Sequence, residues 1–244
     1  APDYGLSETY IGRFISHRRD EYYLASKCGC TIVPKQDQDE YPHVWTRDTL
    51  LHNIETSLQL MKTDYIDLWQ PHNPSPEPFQ AEELVEVMQS VVQQGKVRHI
   101  GISTTLPHIE TFIDWGVFES FQIPYSALDR REEHSISAAA ESGAGTIIRG
   151  GVAQGEPGAG RGKTEVWTAW ERANLDELRS EGESRTAFLL RFTISHPHLH
   201  TTIVATKNPD HLAENLKAME AGPLPQELYA EAKRRLEQAG QQPA

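Results

Sequence analysis

The chain has 244 residues, enough for one large domain or two small ones, and 38% of them are hydrophobic, which excludes a disordered polymer. Its 23 Lys and Arg stand against 35 Asp and Glu, a formal net charge of −12 that disfavours nucleic acid and anionic lipid as partners. No run approaches the roughly 18 consecutive apolar residues of a membrane helix. Cys28 and Cys30, one residue apart, are too close for an ordinary disulfide framework, so a reduced, cytoplasmic protein is expected.

The first residues, APDYGLSETYIG, read as the exit from a strand into a helix running to about Ser16, with Ser7 as its N-cap. YYLASK (22–27) is a short apolar strand, and the stretch 46–61 is a helix behind the N-cap Thr46. YIDLWQPH (65–72) is a second strand, followed by a helix over 80–94 closed by Gly95. VRHIGIS (97–103) is a third strand, and a helix over 107–115 closes at Gly116. Strands at 120–126 and 144–151 flank a helix over 132–142. A glycine-rich loop leads to helices at 165–180 and 184–195, a sixth strand at 201–206 and helices at 209–220 and 225–239.

Apolar strands alternating with helices imply parallel strands buried on both faces, and no linker or change of composition divides the chain, so a single domain over 1–244 is expected. An open doubly wound sheet and a (β/α)8 barrel both fit. A barrel takes about 250 residues for eight units, so six strands would leave roughly 60 residues to precede Ala1.

In a barrel the chemistry sits where the strands end. The polar residues there are Lys27, His72, Ser103, Thr104, Gln122, Arg149, Thr206 and Lys207, with Tyr4 on the same side by connectivity. If His72 points inward, Ile66, Leu68 and Gln70 share its side and Trp69 packs outward. A Tyr, a Lys and a His in one mouth suggest proton transfer to a carbonyl oxygen. Free tyrosine, with a pKa of about 10, is a weak acid near neutrality. An ammonium such as Lys27 stabilises its anion, and a histidine can orient and polarise the oxygen. None of the three carries reducing equivalents, so a hydride donor must bind.

These residues carry a resemblance. Tyr4-Gly5-x-Ser7-Glu8, Ser26-Lys27, Thr63-Asp64-Tyr65-Ile66-Asp67-Leu68 with His72, Gly95-Lys96-Val97-Arg98-x-Ile100-Gly101-Ile102-Ser103, Gln122-x-x-Tyr125 and Glu214-Asn215 follow in the order and spacing of the aldo-keto reductases. The resemblance runs over essentially the whole chain. It implies a (β/α)8 TIM barrel whose first two strands and first helix are missing from this chain, with the helix over 225–239 packed on the barrel. It implies NADPH bound without a Rossmann domain, NADH being less favoured, and a small aldehyde or ketone as substrate.

The family tetrad is Asp, Tyr, Lys and His. Tyr4 matches the proton donor, Lys27 the lysine that tunes it and His72 the orienting histidine, while the aspartate belongs two residues before Ala1. Ser103, Thr104 and Gln122 match positions that hold the carboxamide, with Thr104 where Asn is usual. Arg149 stands in place of a stacking aromatic. Gly151, Val152, Ala153 and Gly155 match the loop along the pyrophosphate. Thr206, Lys207, His211, Glu214 and Asn215 match the adenosine-phosphate end, with Ala205 where Gly or Lys is common and His211 where Arg often stands.

Other features read as structural. Cys28 and Cys30 lack the further ligands of a closed zinc site, and His196, His198 and His200 precede a strand, away from the chemistry; no metal is expected. GEPGAGRGKT is not a P-loop, because Pro157 stands where the pattern needs Gly. The long loop 28–45, ending near Trp45, is expected to shape the substrate pocket, and the acidic stretch 176–183 to be solvated. Two other readings stay open: an NADPH-binding regulatory barrel with little catalysis, and a sugar-phosphate lyase or isomerase that needs no nicotinamide.

Overall fold

Short apolar runs with β-branched residues pair in parallel, and each is followed by a helix that covers the sheet. This is the alternation expected above, seen in the computed structural model, which describes residues 4–31 and 43–244. The expected residues before Ala1 and most of the loop 28–45 lie outside the described residues. Six strands lie side by side in the order in which they occur in the sequence. The chain divides into two compact units, Ala1–Phe121 and Gln122–Ala244, a boundary that falls within β4 (Ser120–Pro124).

The first unit contains α1 (Ser7–Phe14), β1 (Ala25–Cys28), α2 (Arg47–Met61), β2 (Ile66–Pro71), α3 (Pro76–Ala81), α4 (Leu84–Gln93), β3 (Val97–Ser103) and α5 (His108–Trp115). Lys27 pairs with Gln70 and Cys28 with Pro71, while Ile66 pairs with Val97 and Trp69 with Ile100, all in parallel. Phe79, Phe112 and Phe118 pack edge-to-face at 5.7–6.5 Å, with Trp45 5.6 Å from Phe79. Trp69 is fully buried, in keeping with its reading as a packing residue.

The second unit contains α6 (Glu133–Glu141), β5 (Gly145–Arg149), α7 (Thr164–Arg172), α8 (Arg185–Ile194), β6 (Thr201–Thr202), α9 (Pro209–Ala221) and α10 (Gln226–Gln238). Arg130, almost wholly buried, donates to Glu133 at 2.7 Å and Glu237 at 3.1 Å and to the Lys233 and Gln241 carbonyls. These bonds tie the α10 end to the start of α6. Beside them the Tyr125 and Tyr229 hydroxyls meet at 2.9 Å, and burial pushes the Tyr229 hydroxyl up to about 12. Among the described residues no helix is long and apolar enough to cross a membrane.

Four local expectations are corrected. Ser7 is the first residue of α1 and not its cap; Leu6 holds the cap position without a side-chain bond. The helix expected over 80–94 is two helices, because Pro76 starts one earlier and Glu83 adopts a left-handed φ of 49° between them. The one expected over 165–180 stops at Arg172; Asn174, at φ 53°, turns the chain into a short 3-10 helix (Leu175–Leu178). The sixth strand is only Thr201–Thr202, although the Ile203 amide still bonds the Ile148 carbonyl at 2.9 Å. Thr46 does cap α2, accepting from the Thr49 amide at 3.3 Å.

Close approach of backbone sets the docking of α1. A Cβ added at Gly12 would stand 2.0 Å from the Leu60 carbonyl oxygen of α2. Near it, Glu8 accepts from the Ser26 hydroxyl of β1 at 2.5 Å and the Ser57 hydroxyl of α2 at 2.8 Å. Gly12→Ala is therefore expected to push α1 off α2 and to cost about 1–3 kcal/mol of stability, read by urea unfolding.

Candidate active site

Tyr4, Lys27 and His72 meet in the first unit. β1 ends one residue beyond Lys27, and β2 ends one residue before His72, so parallel pairing brings both to the same end of the sheet. The His72 amide donates to the Cys28 carbonyl at 3.1 Å, and the next residue, Asn73, donates to the Ser103 carbonyl at 2.8 Å. His72 also forms a parallel bridge with Ser103. Its backbone is thus held from both neighbouring strands. Tyr4 reaches the group from the turn before α1. Its ring centroid lies 6.0 Å from that of His72, and the Lys27 ammonium stands 5.2 Å from the Tyr4 ring centroid. Lys27 is buried to 9% exposure while Tyr4 is 51% exposed, so the cation is sheltered and the phenol open to an incoming molecule.

The remaining sequence-predicted positions fall in both units. In the first, Ser103 and Thr104 are buried at the end of β3, and no hydrogen-bond partner of the Ser103 hydroxyl is found among the described residues. In the second, Gln122 is buried in β4, and Arg149 ends β5, its carbonyl accepting from the Tyr125 amide at 3.1 Å. Gly151, Val152, Ala153 and Gly155 form consecutive tight turns: Ala153 donates to the Gly150 carbonyl and Gly155 to the Val152 carbonyl, each at 2.8 Å. The Thr193 hydroxyl holds the Gly151 carbonyl at 2.9 Å, and Val152 packs against Ala187, Leu190 and Ala218. Thr206 and Lys207 lie exposed before α9, with the Thr206 hydroxyl accepting from the Asn208 amide at 3.1 Å. His211 is exposed in the first turn of α9, Glu214 is half-buried and Asn215 buried.

Comparison with known proteins settles the family. The model of the Aldo/keto reductase family matches residues 1–237. The chain belongs to the aldo-keto reductase family. It is similar to the oxidoreductase YqkF of Bacillus subtilis, 26% identical over 241 residues that make up 92% of this chain and 77% of that protein. It is also 29% identical over 149 residues, 56% of this chain, to the NADH-specific methylglyoxal reductase of Escherichia coli, covering 45% of that protein. Among solved structures, the holo form of aldo-keto reductase AKR11C1 from Bacillus halodurans superposes with a TM-score of 0.79 at 25% identity, covering 95% of this chain and 77% of that one. The six parallel strands with their helices thus match the (β/α)8 barrel of this family rather than an open doubly wound sheet. An aldo-keto reductase uses a nicotinamide cofactor, so the chain is an NAD(P)H-dependent oxidoreductase.

Several residues of this aldo-keto reductase site are not evident from its sequence. Asn53, on α2, clamps the turn after β1: its side chain accepts from the Gly29 amide at 2.8 Å and donates to the Cys30 carbonyl at 3.4 Å. His43 comes beside His72, with Nε2 and Nδ1 3.3 Å apart. Burial raises the Cys28 thiol well above its ordinary range, so it stays protonated. The three later histidines are structural. His200 Nδ1 accepts from the Thr146 amide at 3.0 Å, the Thr146 hydroxyl donates to the His198 carbonyl at 2.6 Å, and burial pushes His196 down to about 4.

Asp67 anchors the other end of the strand that carries His72. It accepts from Arg19 at 2.5 Å, from the Leu24 amide at 2.8 Å and from Arg98 at 3.0 Å, and both guanidinium groups lie 4.0 Å from the Tyr65 ring centroid. Burial opposes ionisation of Asp67, but the Leu24 amide and the two arginines outweigh it and hold the carboxyl below its ordinary value. A carboxyl depressed in the folded state stabilises fully above the unfolded aspartate pKa of about 3.9, and that stabilisation is lost as pH falls through the lower folded value. Asp67→Asn is accordingly expected to lose on the order of 3 kcal/mol at neutral pH, leaving the Arg19 charge without its carboxylate. Urea unfolding across pH checks this: the difference between the two proteins should shrink below about pH 4.

Proposed function

We propose that the protein reduces aldehydes or ketones to alcohols with NADPH, using Tyr4 as the proton donor. The observation that carries this reading is the Lys27 ammonium 5.2 Å from the Tyr4 ring, with His72 on the same strand ends. Bound NADPH supplies the hydride that forms the new C–H bond at the carbonyl carbon. Tyr4 gives its phenolic proton to the carbonyl oxygen, which completes the hydroxyl group. Lys27 stabilises the phenolate that remains, and its burial strengthens that attraction. His72 hydrogen-bonds the carbonyl oxygen and fixes it toward Tyr4.

The residues fit the cofactor. A buried hydroxyl without an internal partner calls for a ligand or water, and Ser103 presents one in bridge register with His72. In this reading Ser103 and Thr104, with Gln122, hold the carboxamide and Arg149 supports the ring. Gly151, Val152, Ala153 and Gly155 follow the pyrophosphate, and Thr206, Lys207, His211, Glu214 and Asn215 take the adenosine end. Lys207 and His211 favour NADPH by offering exposed basic side chains to a 2′-phosphate. The NADH-specific relative makes this a point to measure. The same reading places the protein in the cytoplasm, where the Cys28 and Cys30 thiols, which form no disulfide, stay reduced.

Two measurements test the proposal. Tyr4→Phe should abolish NADPH oxidation with a reactive aldehyde, a loss of at least about 100-fold, while NADPH binding followed by fluorescence stays near wild type. Wild-type turnover in that variant would remove Tyr4 from the mechanism, and binding without turnover in the parent protein would favour a regulatory barrel. Lys207→Ala should raise the KM for NADPH more than that for NADH; equal changes would contradict the 2′-phosphate assignment.

A further inference from the structure

Beside Tyr4 and Lys27, His72 also meets two residues that carbonyl reduction does not use, Cys30 and His43. Cys30 and His43 face each other in an antiparallel bridge, and His72 joins them from the end of β2. Cys30 Sγ lies 3.6 Å from His43 Nε2 and 3.7 Å from His72 Nδ1, and the two nitrogens are 3.3 Å apart. These atoms form a closed triangle. A ring nitrogen offers either one proton or one lone pair, so at most two of the three edges can carry a proton in line.

The triangle matches the face of a tetrahedron around zinc. With Zn–S of about 2.3 Å and Zn–N of about 2.0–2.1 Å, tetrahedral angles give edges of about 3.3 Å between nitrogens and about 3.5–3.6 Å between sulfur and nitrogen. The measured edges agree within about 0.2 Å, the tolerance expected of a metal site. The donors are also the soft and imidazole types that zinc favours.

The scaffold holds the three atoms in advance of any ion. Asn53 clamps the backbone on both sides of Cys30, and the Cys28 carbonyl fixes the His72 amide. The Trp45 ring stacks on His43 at 5.8 Å and 7°. Gly29 leaves room for that ring, since a Cβ there would stand 2.1 Å from the indole. Cys30 is fully buried while His43 and His72 are half-buried, and no fourth His, Cys, Asp or Glu joins the group among the described residues.

We propose that Cys30, His43 and His72 form a zinc site of three protein ligands with one open position. Binding takes the Cys30 thiolate and displaces its proton to solvent; no electron transfer is involved.

The test uses the reduced, metal-free protein titrated with Zn2+ against a chromophoric chelator and, separately, with Co2+. The expected result is one equivalent per chain and, for Co2+, a thiolate-to-metal charge-transfer band with the strong visible absorption of tetrahedral cobalt. Cys30→Ser should abolish the charge-transfer band, and His43→Asn should lose the bound equivalent, each with near-ultraviolet circular dichroism confirming the fold. His43→Asn carries the test if Cys30→Ser fails to fold. No stoichiometric binding, or binding unchanged in His43→Asn, would overturn the site.

Discussion

Parallel pairing of β1 with β2 is the constraint on which the site depends. Lys27 opposite Gln70 and Cys28 opposite Pro71 leave the His72 amide facing the Cys28 carbonyl. A slip of one residue would turn Lys27 to the other face of the sheet and dissolve the group. The register is set far from the chemistry. Asp67 near the start of β2 takes the Leu24 amide just before β1, and Arg19 and Arg98 neutralise it. The buried charges at the beginning of the strand thus decide what meets at its end.

This separation of labour fits the physics of parallel sheets. Their strands are buried on both faces and tolerate polar groups mainly at their ends. Here two polar groups near strand starts are satisfied internally: Asp67 by two arginines, and Thr146 by His198 and His200. The Ser103 hydroxyl is buried without a partner among the described residues, and Tyr4 is half-exposed beside a buried cation. Groups left in that condition are ready to meet a ligand.

The order of strands and helices was legible because each carries its own period and caps, as Thr46 and Gly116 show. That Tyr4, Lys27 and His72 come together was legible from their spacing relative to strand ends. Ser7 misled, because a serine followed by Glu8 resembles a cap while Glu8 in fact turns inward to Ser26 and Ser57. The breaks at Glu83 and Asn174 were hidden, since a single left-handed residue leaves apolar periodicity almost untouched. His43 beside Cys30 and His72 was invisible for a different reason. The three are distant in sequence and meet only through a bridge and a strand register, neither of which has a local signature.

The central claim is that these strand ends deliver a hydride and a proton to one carbonyl group. The most direct measurement supplies NADPH carrying deuterium at both positions of C4 of the nicotinamide with an aldehyde substrate and locates the label in the product by mass spectrometry and NMR. The account predicts one deuterium on the carbinol carbon and none exchanged with water. Alcohol formed without that label, or cofactor oxidised with no alcohol formed, would contradict it.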